Sequence, residues 1–337
     1  VGIYLDNGYL DISKILSYGL PFNFIVGGRA TGKTYGALKY AYESHTRFIL
    51  MRRTQAQTDL INKVEFNPYK AINTDLGSDI QIKSISKYNS KIFEPSGDTE
   101  ELLGYTCALS TISNMRGFDA SDCKLLIYDE FIPERHERPI KGEGACFLNA
   151  YESINRNREL KGEPPLQVLG LANAFNIANP IFLELGLVGR AEKMKAAGQE
   201  LFMDRDRGIL LVLLQRSKIS KAKADTALYR LSSGSYNDMA LSNDFVYNNS
   251  DSIKSTSLKE YKLLCTVGEI SIYRHKSNRE YYVSEHRTGT APLYKSDEVG
   301  IMRYRKKYGI IMGPAYLNNR VQFENILTKT LFELYTI

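Results

Sequence analysis

Residues 27–34 read GGRATGKT, the pattern G-x-x-x-x-G-K-T, and no other feature constrains the chain as strongly. Such a loop works only between a strand and a helix. The flanks meet that demand. FNFIV (residues 22–26) reads as a short, buried, parallel strand. KTYGALKYAYES reads as a helix, with Leu38 and Tyr42 near one stripe. Glycines let backbone N–H groups turn inward around phosphate oxygens. Lys33 puts a positive charge on the β- and γ-phosphates, and Thr34 offers its hydroxyl to Mg²⁺. The helix that follows points its positive end at the anion. Gly27, Gly28, Arg29, Ala30, Thr31, Gly32, Lys33 and Thr34 are therefore the expected ATP-binding residues. Arg29 either touches the γ-phosphate or faces solvent.

A second element completes the chemistry. In KLLIYDE (residues 124–130) an apolar run ends in two acids. A buried strand would deliver Asp129 to the carboxyl edge of the sheet to hold Mg²⁺, and Glu130 would polarise the attacking water. That pairing points to ATP hydrolysis. Three arginines are candidates for the charge of a phosphoryl transition state: Arg156 and Arg158 in NRNRE, and Arg116 in SNMRGFD. As a solvated helix face the first two would have no such role. Asn173 ends the apolar run VLGLA, where it either senses the γ-phosphate or caps a turn.

The rest of the chain supplies the context. RFILMRR, CALST and PLQVLGLA read as strands, IQIKSISKYNSKIFEP as a hairpin, and NPIFLELGL as a turn entering a helix. Strands alternating with helices indicate an α/β fold with a mostly parallel sheet. The pattern changes near Leu214, which suggests a P-loop ATPase domain over residues 1–214. A polar linker or small helical connector would follow at 215–245, and a small α/β domain at 246–337. In the last of these, residues 261–286 read as two or three strands turning at HKSNRE. Val321, Phe323, Ile326, Leu327 and Leu331 recur at helical spacing.

Lys and Arg outnumber Asp and Glu by 44 to 38, a balance compatible with a nucleic-acid partner. Basic and aromatic residues interleave in MRYRKKYG, where Arg303, Arg305, Lys306 and Lys307 fit phosphate contacts with aromatic support from Tyr304 and Tyr308. A solvated helix face fits equally well, and so it does for Lys218, Lys221 and Lys223 in the connector. No C-x-x-C occurs among the four cysteines, which argues against zinc and suits a reducing compartment. The start lacks a signal-peptide pattern, and no apolar run is long enough to cross a membrane.

Taken in order, LSYGLPFNFIVGGRATGKTYG, FILMRR, IYDEFI, NRNRELK and LANAFNIANPIF resemble the DNA-packaging ATPases of phi29-like bacteriophages. The likeness covers most of residues 17–183 and continues weakly to the end. It implies a terminase-like ring motor of the ASCE class that uses ATP and Mg²⁺ to drive double-stranded viral DNA into a preformed prohead. The ring would be a homo-pentamer, in the host cytoplasm and transiently at the portal vertex. The resemblance implies Asp129 as metal acid, Glu130 as catalytic glutamate and Asn173 as sensor. It also implies Arg156 as an arginine finger acting in trans, with Arg116 as a second trans-acting basic residue. The tail would be a degenerate, RNase H-like nuclease domain that touches nucleic acid, including in some members a structural packaging RNA. Its first strand, YKLLCTVGEISIYR, lacks the expected Asp, and Glu269 and Glu285 make no convincing triad, so cleavage is not expected. Two readings compete: a P-loop kinase or other phosphotransferase, and a large-terminase-type motor that keeps its nuclease.

Overall fold

Short apolar runs rich in Leu, Ile, Val and Phe form the centre of the larger of two compact units. The computed structural model describes residues 2–115, 119–134, 137–138, 140–215, 219, 226–231 and 252–337. One unit is drawn from residues 1–246 and the other from residues 247–337. In the first, the strands are β1 (Phe22–Val26), β2 (Phe48–Arg52), β3 (Gln81–Ser84), β4 (Ser90–Ser96), β5 (Thr99–Ala108), β6 (Leu125–Asp129), β7 (Gln167–Ala172), β8 (Leu201–Asp204) and β9 (Ile209–Leu213). Among the described residues they form one sheet in the order β3-β4-β5-β2-β6-β7-β1-β9-β8. From β5 to β9 every pairing is parallel, and antiparallel strands finish both edges. β7 lies between the P-loop strand and the acid-bearing strand.

Both faces of this sheet are covered, which is why its strands carry apolar side chains on both sides. On one face Ile25, Leu50, Ile127 and Leu171 pack with Leu16, Leu38 and Ile72 of the helices Ile12–Leu16, Lys33–Glu43 and Lys70–Leu76. On the other, Phe24, Phe131, Phe147 and Phe182 pack ring against ring at 5.5–6.2 Å between centroids. Gly170 makes room for that cluster, because a Cβ there would lie 2.6 Å from the Phe24 ring.

Several expectations shift. Of the strand foreseen at CALST only Cys107 and Ala108 are strand, the end of a β5 that begins at Thr99 after a hairpin turn at Gly97 (φ 60°), while Leu109–Met115 winds into a 3-10 helix. The charged start TEEL hides the strand, since an edge hairpin needs no apolar alternation where both faces meet solvent. β8 and β9 were not foreseen, although ILLVL is fully buried beside β1. Of the expected connector, Ala227–Leu231 forms a short helix, while Lys218, Lys221 and Lys223 lie outside the described residues.

The second unit holds β10 (Tyr261–Val267), β11 (Ile270–His275), β12 (Tyr281–Ser284), β13 (Leu293–Tyr294) and β14 (Val321–Phe323), in the order β13-β10-β11-β12-β14. β10, β11 and β12 form an antiparallel meander, β13 lies parallel beside β10, and β14 adds parallel to β12 at the opposite edge. Val321 and Phe323 belong to β14 rather than to a helix. The terminal helix starts only at Ile326, where Asn325 and Thr328 form a reciprocal capping box.

Candidate nucleotide site

Register brings the site together. Val26 pairs with Ala172, Leu171 with Asp129, and Tyr128 with Met51. Gly27, Asn173, Asp129 and Arg52 therefore emerge at one level on the carboxyl edge, where open α/β sheets bind ligands. Of these, Asp129 and Asn173 border, with Lys33, Thr34, Glu130 and the P-loop, a cavity of about 480 Å³.

The P-loop leaves β1 at Gly27, whose N–H donates to Ala172 O (3.1 Å). A Cβ at Gly27 would lie 2.6 Å from the Leu214 side chain, so the loop runs close beside the end of β9. Ala30 and Gly32 both adopt positive φ (59° and 85°), which curls the loop over the start of Lys33–Glu43. Lys33 is buried. Its Nζ donates to Gly28 O (2.7 Å) and Gly27 O (3.1 Å) and lies 3.3 Å from Asn173 Oδ1. Asn173 thus touches the P-loop lysine directly. Arg29 pairs with Glu134 (2.8 Å) and lies over the Phe175 ring, at the rim of the cavity.

Thr34 Oγ1 donates to Asp129 Oδ1 at 3.0 Å and approaches Oδ2 at 3.1 Å. These are hard oxygen donors, the kind that Mg²⁺ takes. Among the described residues no group of three His, Cys, Asp or Glu gathers, so Mg²⁺ at Thr34 and Asp129 would complete its shell with phosphate oxygens and water. Burial pushes the Asp129 carboxyl above its ordinary pKa, and Arg52 opposes that rise.

Arg52 was not foreseen as a site residue. It ends β2 next to β6, and one guanidinium bridges both acids: Nη2 to Asp129 Oδ2 (2.9 Å) and Nη1 to Glu130 Oε2 (2.5 Å). Burial alone would lower its pKa, but Asp129 and Glu130 raise it. Glu130 itself has φ 59°, an unfavourable backbone for a residue with a side chain, and its side chain is half exposed at the cavity. Strain of about 1–3 kcal/mol is typical of such positions at functional sites.

The neighbouring Arg53 is fully buried. It makes a two-pronged pair with Glu143 (2.6 and 2.8 Å) and a third bond to Glu137 (2.8 Å). It thereby ties the end of β2 to the start of the helix Glu143–Asn155.

A sequence profile of the family described as podovirus DNA encapsidation protein (Gp16) matches residues 6–295. The chain belongs to this family. It is 25% identical over 345 residues to the DNA packaging protein of Bacillus phage B103, covering 95% of this chain and 98% of that one. Against the DNA packaging protein of Bacillus phage phi29 the identity is 22%, covering 96% and 95%. A chain of the bacteriophage Phi-29 viral genome packaging motor assembly shares the fold, with a TM-score of 0.65 at 18% identity over 99% of each chain.

In this chain the candidate arginines separate. Arg158 is buried, and its Nη2 donates to Ser121 O (2.9 Å) and Cys123 O (2.5 Å), in the loop that enters β6. It holds that loop. Arg156, with φ 47° at the end of Glu143–Asn155, is exposed and pairs with Asp119 (3.0 Å). Both therefore sit at the amino edge, away from Glu130. The five residues of β6 span about 16 Å, and the thirteen of the helix about 20 Å. Arg116 lies outside the described residues.

The basic stretch of the second unit also divides. Tyr304 and Tyr308 are buried, with hydroxyls bonded to Thr336 and Leu264 O, so they support the core rather than a base. Arg305 donates to Tyr335 O (2.8 Å) and Leu334 O (2.9 Å), closing the terminal helix. Arg303, Lys306 and Lys307 are exposed, with Lys307 beside the Tyr308 ring. Glu269 accepts from Tyr335 OH (2.7 Å) and Glu285 from Asn325 Nδ2 (2.5 Å). No described helix is long and apolar enough to cross a membrane.

Proposed function

We propose that this chain is the ATP-hydrolysing subunit of a homo-oligomeric ring that moves double-stranded viral DNA into a prohead. The observation that carries the reading is the convergence of Lys33, Thr34, Asp129 and Glu130 at one strand edge. Lys33 and the P-loop N–H groups bind the β- and γ-phosphates. Thr34 and Asp129 would hold Mg²⁺, which would supply positive charge against the phosphates. Glu130 orients the attacking water, and Asn173 positions the lysine and reports the γ-phosphate.

Arg156 is the arginine finger of this reading. It stands at the opposite edge from its own Glu130, so it acts on a neighbour's γ-phosphate, with Arg116 a second basic contributor. A ring of copies places one subunit's amino edge against the next subunit's carboxyl edge in a heterologous interface that closes. A pentamer is the proposed size. In the proposed division of the chain, residues 1–214 are the ATPase domain, 215–245 a connector, and 246–337 a domain that binds nucleic acid through Arg303, Lys306 and Lys307 without cutting it. Its partners are DNA, the portal of the prohead and a structural packaging RNA, and its place is the host cytoplasm and then the portal vertex.

Phosphate release with and without double-stranded DNA, and with prohead, tests the reading. A motor turns over faster with DNA. A phosphotransferase would instead move the γ-phosphate to an acceptor and ignore DNA.

A further inference from the structure

Two exposed apolar patches lie beside the reacting groups, and neither is covered within one chain. The first is Leu160, 86% exposed in the turn Arg158–Lys161. That turn is firmly anchored. Arg158 is buried on the carbonyls of Ser121 and Cys123, Asn155 Oδ1 accepts from Leu166 N (2.8 Å), and Glu163 N donates to Arg158 O (3.0 Å). Arg156 and Asn157 both take positive φ (47° and 58°), a backbone that persists in residues with side chains only where the surroundings impose it. A strained, fixed turn thus presents a bare leucine four residues beyond Arg156.

The second patch is on the hairpin before the P-loop. Tyr4 pairs with Leu10, and Leu5 N donates to Tyr9 O (2.8 Å). Leu5 therefore lies opposite Tyr9, and their side chains stand side by side. They are 45% and 42% exposed. The hairpin is fastened to the phosphate loop, because Leu10 N donates to Thr31 O (3.2 Å) and a Cβ at Gly32 would lie 2.9 Å from the Tyr9 ring.

Single exposed apolar residues are common and need no partner. Rigidity and position set these apart. Arg156 stands at the amino edge and the P-loop at the carboxyl edge, so a ring that joins those edges brings the two patches into one interface. Four residues of a 3-10 turn span about 8 Å, which is the separation of Leu160 from Arg156 along the chain. The hairpin touches Gly32, which caps the phosphate-binding helix. Each patch therefore lies close beside its own reacting group. Lys161 follows Leu160 and Asp6 follows Leu5, both exposed, which gives the contact a rim of complementary charge. We propose that Leu160 of each subunit packs on Leu5 and Tyr9 of the next, and that this contact sets Arg156 at the neighbour's phosphates. This rests on the ring reading above and adds the side chains that join the copies.

Leu5→Cys and Leu160→Cys, each made in a Cys146→Ser background because the other three native cysteines are buried, test the contact directly. The two full-length variants are mixed, assembled on proheads with an ATP analogue that resists hydrolysis, and treated with a short bis-maleimide. They should give a linked dimer containing one of each chain, and neither variant alone should link. A chain carrying both substitutions should give a ladder of linked subunits. In turnover, Leu160→Asp should raise the subunit concentration for half-maximal ATP hydrolysis by roughly tenfold or more, the scale of a buried interface anchor. Its Tm and its binding of a fluorescent ATP analogue as a dilute subunit should stay at parent values, and Leu160→Met should keep the parent concentration dependence. The proposal is overturned if assembled chains give no mixed dimer, if Leu160→Cys links to itself, or if Leu160→Asp keeps the parent concentration dependence. It is overturned equally if Leu160→Asp loses nucleotide binding, which would mean that the turn acts on its own chain's site. Parent chains that stay monomeric with proheads, and hydrolyse ATP at a rate per subunit that ignores concentration, would instead count against the ring reading itself.

Discussion

Replacing Arg52 by alanine removes the guanidinium that bridges Asp129 and Glu130, and the structure sets the size and the pH dependence of the loss. The Arg52 side chain is 12% exposed and that of Asp129 is 3% exposed. Breaking such a buried pair by removing one partner costs about 3–5 kcal/mol. The Glu130 half is half exposed and adds about 0–1 kcal/mol at most. The low end, about 3 kcal/mol at neutral pH, corresponds to a Tm lower by roughly 6–12 °C in a unit of this size. The sign with pH follows from Asp129, whose folded pKa is raised by burial and held down by Arg52. A carboxyl with a raised folded pKa contributes stability that is full below its unfolded pKa, near 4, and is lost as pH rises through the folded pKa. Without Arg52 the folded pKa climbs further, so that loss becomes larger. The variant should therefore nearly match the parent near pH 4 and fall progressively behind it toward pH 8. Urea unfolding of both proteins across that range, without nucleotide or Mg²⁺, measures the difference. A deficit that is the same at both ends, or below about 1 kcal/mol at pH 8, refutes the argument. Arg52→Lys should lie between, since it keeps the charge but loses the fork that reaches both acids.

Four further outcomes are expected. Lys33→Ala should lose nucleotide binding, and Glu130→Gln should keep ATP bound while phosphate release stops; direct binding and steady-state turnover separate the two, and normal turnover in Glu130→Gln removes Glu130 from the mechanism. Arg156→Ala and Glu130→Gln, each inactive alone, should regain hydrolysis when mixed, because a mixed interface joins a sound P-loop and Glu130 to an intact Arg156; no rescue despite co-assembly counts against trans action. Neutralising Arg303, Lys306 or Lys307 should each flatten the log K against log salt slope for duplex binding by about one. Arg305→Ala should instead lower the thermal stability of the second unit, because it uncovers the carbonyls of Leu334 and Tyr335.

The P-loop, the acid pair and the α/β class were legible from residues alone because each is written locally. Glycines at fixed spacing, an apolar run of strand length and a carboxylate at its end all act within a few residues of one another. The sequence by itself thus determined that Lys33, Thr34, Asp129 and Glu130 would lie at strand and loop ends on a sheet edge. It did not determine what stands opposite them. Arg52 reaches Asp129 only because β2 lies beside β6, and Tyr9 lies against Gly32 only because its hairpin is bonded to Thr31. The same holds where two readings of one residue were open. Arg158 and Arg156 sit two positions apart, yet one is buried on the carbonyls of Ser121 and Cys123 and the other projects from the amino edge. In MRYRKKYG, helical winding turns Tyr304 and Tyr308 inward and leaves Arg303 and Lys306 outside, while Arg305 is taken up by a helix end thirty residues on. Spacing along the chain sets which face a side chain occupies. Only strand order, register and packing decide which distant group meets it there, because a hydrogen bond or ion pair forms over about 3 Å of space whatever the length of chain between its partners.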